Sequence, residues 1–134
     1  MLTTLNPELK QFINRLNRVD FGTLAHQLTD PNNGEGWTLE CATNAIEQYR
    51  KFLVLIYLYP DRTIVPSRTV DLVWHQAILD TQKYEKDCLE IFGRFIHHYP
   101  HGLVDPEHGE DTEVAFAETC QLLVKHFTSI SLEE

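Results

Sequence analysis

The sequence has no hydrophobic run long enough to cross a bilayer. Its most apolar stretch, FLVLIYLYP from Phe52 to Pro60, is far shorter than the ~20 residues a spanning helix requires. The opening MLTTLNPELK lacks both the basic region and the apolar region of a secretory signal. Positive charge is scarce. Eleven Lys and Arg face 20 Asp and Glu, a formal net charge of −9 with no basic run, which argues against broad contact with nucleic acid or an anionic membrane surface. Cysteine is sparse and odd in number: Cys41, Cys88 and Cys120 form no CxxC pair. Free thiols in a reducing compartment fit that count better than a disulfide framework, so the expected location is cytoplasmic. There is also no HExxH, no phosphate-cradling glycine loop, no GxSxG elbow, no internal repeat and no sustained heptad, and therefore no motif that by itself names a reaction.

What is present is helical periodicity. A length of 134 residues suits one domain with its own core, 1–134. Asn6-Pro7 offers a capping residue and a proline at the first helical position, followed by Leu9, Phe12, Ile13, Leu16 and Val19 at helical spacing. A short second helix carries Phe21, Leu24, Ala25 and Leu28 and ends near Asp30-Pro31. Thr38 caps the third, where Ala42, Ala45, Ile46, Tyr49, Phe52, Leu53 and Ile56 make a stripe so broad that several neighbours should surround it. Pro60 and Pro66 bracket a connection. Ser67 or Thr69 caps the next helix, with Val70, Val73, Trp74, Ala77 and Ile78 inward. After Asp80 or Thr81 another helix presents Tyr84, Cys88, Ile91, Phe92 and Phe95, and Gly93 marks its C-terminal cap or a close contact. HHYPHGLVDPEHGED reads as an irregular connection. A last helix begins near Asp111, with Phe116, Cys120, Leu123, Val124 and Phe127 as its expected buried stripe. The expected fold is all-α, a compact bundle of five or six helices.

The most distinctive stretch runs from Val70 to Pro100. Asp71 and His75 stand four residues apart, on one helical face beside the stripe that holds Trp74 and Ile78. An aspartate there can accept one imidazole N–H and leave the other ring nitrogen for a ligand or a metal. The same pair can equally serve as a structural polar network that pins helices together. His97 and His98 are adjacent and must point differently, so one of them can turn back toward His75. Zinc takes tetrahedral nitrogen, sulfur and oxygen ligands, and His75 and His98 with Asp71, His97, Cys88 or His101 would make such a set. Cys88 shares a face with Tyr84, Ile91 and Phe92, where a thiol acts as a small hydrophobe. Cys41 and Cys120 read as packing residues.

In order, Asp71, Leu72, Trp74, His75 and Leu79, then Tyr84, Asp87-Cys88, Gly93-Arg94-Phe95 and His98 resemble the core segment of the glycine-rich-domain-containing proteins, and Pro66 and Ser67 resemble its approach. The match covers 66–100, about a quarter of the chain. With six glycines, the chain has no long glycine-rich region and resembles a short, stand-alone member. The family's second helix histidine falls at Ala77, which removes one ligand from a two-histidine metal reading. The resemblance implies a shared polar centre of Asp71, His75 and His98, supported by Trp74 and Tyr84. It implies no reaction.

Three readings follow from these residues. The leading one is a non-enzymatic helical interaction or regulatory domain with a structural Asp-His centre, no catalytic residue, no cofactor, and an unidentified protein or small molecule as partner. The second is a zinc or iron protein, or a metal-dependent hydrolase, using His75 and His98. The third is a small-ligand pocket between helices lined by Trp74 and tyrosines.

Overall fold

A computed structural model describes residues 6–98 and 112–127. Six helices account for most of them: α1 (Pro7–Arg18), α2 (Gly22–Thr29), α3 (Leu39–Leu58), α4 (Arg68–Leu79), α5 (Thr81–Phe92) and α6 (Thr112–Phe127). Among the described residues there is no strand, and the class is all-α.

The helices start and stop where short polar side chains and glycine allow. Asn6 Oδ1 accepts the Leu9 N–H at 2.7 Å, Thr38 Oγ1 that of Cys41 at 3.1 Å, and Ser67 Oγ that of Val70 at 3.1 Å. Each satisfies a first-turn donor that has no partner within its helix. Gly93 closes α5 at φ 74°, a left-handed conformation that a side chain would strain. Between α2 and α3, Gly34 is fixed by closeness. A Cβ there would sit 1.7 Å from the Gln27 carbonyl oxygen, inside its van der Waals radius.

α3 is the central element, in contact with α1, α2, α4 and α6. Phe52, Leu53, Val54 and Leu55 are all buried, four consecutive residues spanning every side of the helix, so the apolar run LVLIYLY is a surrounded helix rather than a strand. Burying each such side chain contributes roughly 1.5–3 kcal/mol. α1 brings Leu9, Phe12 and Leu16 to this core. Phe12 stacks on Tyr57 of α3, centroids 4.1 Å apart, and tilts against Phe92 of α5 at 5.2 Å. Arg15 Nε donates to the Ile91 carbonyl at 3.1 Å, which ties α1 to the end of α5. α4 and α5 are separated by Asp80 alone.

α6 differs from its expected orientation. Its buried residues are Ala115, Thr119 and Leu122, whereas Phe116, Cys120 and Val124 are exposed and Leu123 and Phe127 are half-buried. The reason is a backbone donor. Val65 N–H, buried at the end of the α3–α4 connection, needs an acceptor and finds it in Thr119 Oγ1 at 3.0 Å, while the Thr119 hydroxyl donates to the Ala115 carbonyl at 2.9 Å. An unmade buried hydrogen bond costs ~1–3 kcal/mol, enough to turn the helix by about one residue step and leave its most apolar stripe outside. No described helix is long and apolar enough to cross a membrane.

Candidate functional site

The described part of the Val70–Pro100 stretch folds into a cluster where α4, α5 and the extended residues after Gly93 meet. Trp74, on the inner face of α4, is 5% exposed and meets the Phe52 ring edge-on at 5.1 Å. Its Nε1–H donates to Tyr84 Oη on α5 at 2.9 Å, and the Tyr84 hydroxyl donates onward to the Ile96 carbonyl. Three elements are joined through one phenol. Burial pushes the Tyr84 hydroxyl far above the ordinary tyrosine range, so it stays protonated and keeps its donor role.

His98 lies flat on the other side of Trp74, centroids 4.1 Å apart and planes 8° from parallel. Its Nε2 is 2.6 Å from Asp71 Oδ1. That is ion-pair distance, yet no donor hydrogen is directed at Oδ1, which is shut off from water. The ring nitrogen and the carboxylate are in direct contact.

Asp71, Trp74, Tyr84 and His98 are thus brought together, and His75 is not. His75 is exposed, a quarter-turn around α4 from Trp74, with no hydrogen bond or ion pair to Asp71 or His98. His97 is exposed as well, its ring edge-on to Phe95 at 4.8 Å. Cys88 is buried, and burial raises its thiol pKa, so it is protonated at neutral pH and a poor nucleophile. Among the described residues no three His, Cys, Asp or Glu side chains gather as metal ligands. His101 lies outside the described residues.

Clefts open beside the cluster and along α6. A narrow one, of about 30 Å³, runs beside Leu24, Tyr49, Tyr84 and Cys88 and has room for about one water. A wider one, of about 350 Å³, opens between α3, the start of α4 and α6. Phe116, Leu123, Val124 and Phe127 form its α6 wall, Phe52 and Val65 part of the opposite one, and Lys51 and Gln48 reach it from α3. The outward stripe of α6 is the side of this groove. Sequence periodicity located the stripe but placed it in the core. Lys51, Gln48 and Thr119 carried no signal, because each gains its place only from how α6 is turned.

No curated protein and no solved structure matches the chain. A family model, UCP032817-like, matches residues 14–122 and so takes in at least part of every helix. With most of its length matched, the chain belongs to the UCP032817-like family.

Proposed function

We propose that this protein is a non-enzymatic helical binding domain in which the Asp71, Trp74, Tyr84 and His98 cluster is architectural and the contact surface is the groove along α6. The observation that carries this reading is the α6 stripe. Val124 is 63% exposed and Phe116 38%, about two turns apart along a groove large enough to seat a ligand or side chains. The cluster's polar groups face one another, and neither cleft is lined by His75 or His98. Three free cysteines support a reducing, cytoplasmic location. The ordered residues from Asp71 to His98 support kinship with the glycine-rich-domain-containing proteins.

Nile red, an uncharged apolar fluorophore, tests the reading. The folded protein is expected to brighten and blue-shift it, and Leu123→Asp with Val124→Asp is expected to abolish the change while the melting temperature stays within a few degrees. No response from the folded parent, or an equal response from the double variant, would overturn it.

A further inference from the structure

We infer that the α6 groove is a site for a single-tailed anionic amphiphile, its hydrocarbon body lying along α6 and its carboxylate meeting Lys51 and Gln48. The inference rests on the reading of this groove as the binding surface and names what occupies it.

The polar groups of the groove divide into two sets. Ser67 Oγ already accepts the Val70 N–H, and the Thr119 hydroxyl both accepts from Val65 and donates to Ala115. Both oxygens are thus engaged by the fold, and the Thr119 hydroxyl has already given its proton to Ala115. Lys51 is different. The aromatic face of Phe127, 5.8 Å from Nζ, is its neighbour, and no carboxylate among the described residues is within ion-pair distance of it. Gln48 stands one turn earlier on the same face of α3, exposed, with its amide donors available. An ammonium and an amide side by side at the rim of a hydrocarbon wall are complementary to one carboxylate attached to an apolar chain.

Dimensions and charge narrow the class. The α6 wall from Phe116 to Phe127 is about 16 Å long at the helical rise per residue, a length suited to an extended medium-chain tail. The volume of about 350 Å³ lies within the ordinary range for small-molecule sites. A net charge of −9 repels a partner with several carboxylates, so a single negative charge beside Lys51 is favoured over an acidic peptide helix.

Cys120 provides a local reporter, because its exposed thiol lines the groove, while exposed Cys41 on the first turn of α3 does not line it. Dodecanoate, below its micelle concentration, is expected to bind the full chain by calorimetry and to protect Cys120 from iodoacetamide without protecting Cys41. Lys51→Met is expected to weaken dodecanoate about tenfold, with Lys51→Arg near the parent. Equal affinity for dodecyltrimethylammonium, or an unaltered affinity in Lys51→Met, would overturn the amphiphile inference while leaving the groove as a binding surface. Loss of the Nile red response in the parent would remove that surface as well. A doubled mass in light scattering, abolished by Val124→Asp and accompanied by protection of Cys120 without ligand, would assign the groove to a second copy of the chain and likewise overturn the inference.

Discussion

The ring of His98 lies parallel to that of Trp74 while its Nε2 approaches Asp71 Oδ1 at 2.6 Å, so one side chain both covers the indole and touches the aspartate. Both relationships lie on α4 and the extended residues that follow α5. The cluster is therefore a fastening between elements, and its removal should be read in stability before it is read in binding.

Tyr84→Phe keeps the ring but removes the oxygen that accepts from Trp74 and donates to the Ile96 carbonyl. Two polar groups in a buried site then lose their partner. The expected cost is about 1–3 kcal/mol in urea unfolding, with the helical circular-dichroism signal retained. A loss below about 0.5 kcal/mol would mean that water replaces the hydroxyl.

His98→Ala and His75→Ala should separate. The first bares the face of Trp74 and removes the ring against Asp71, and a loss of roughly 1–2 kcal/mol is expected. The second alters an exposed side chain, and its effect should fall within about 0.5 kcal/mol. Parallel denaturant titrations check the order, and the reverse order would contradict the placement of both histidines.

Thr119→Val is nearly isosteric and removes the acceptor of the buried Val65 N–H. It is expected to destabilise by about 1–3 kcal/mol, and Thr119→Ser by much less, since the serine hydroxyl can still reach the amide. If valine is tolerated as well as serine, the orientation of α6 has another cause.

Acid should loosen the end of α6. Burial, and then the neighbouring Lys125, lowers the pKa of His126, whose Nε2 is 2.7 Å from Tyr59 Oη. The folded chain therefore favours neutral His126, with Tyr59 donating to it. A folded pKa below the unfolded one gives a contribution that is complete above the unfolded value of ~6.5 and is lost as pH falls through the folded value. Melting temperatures measured between pH 7.5 and 5 should decline more for the parent than for His126→Gln. Identical slopes would remove His126 from the explanation.

The helical frame was legible because its signals are local. Asn6, Thr38, Ser67 and Gly93 each act within one turn of their own position, and each marks a helix end in the structure. The cluster was legible in part. Asp71, Trp74, Tyr84 and His98 are polar or aromatic residues in an apolar pattern and invite attention, but His75 was grouped with them only through its four-residue spacing from Asp71. Once Trp74 takes the inner face, His75 is carried a quarter-turn outward. The Ile96 carbonyl left no trace in the sequence, since every residue has one. On α6 the apolar pattern was read correctly as a stripe and wrongly as core, because the need of a distant backbone N–H at Val65 for an acceptor is not written in the periodicity of the helix it turns.

Asp80 is the whole of the connection between α4 and α5. With a single non-helical residue between them, any residue added there would displace α5 relative to α4. Tyr84 would leave Trp74, and Phe92 and Ile91 would leave Phe12 and Arg15 in the same movement. The joint thus works as a gear tooth that sets the phase of two helices. Among the described connections, it is the place where a single inserted codon should be least tolerated and where a circular permutant should not be opened.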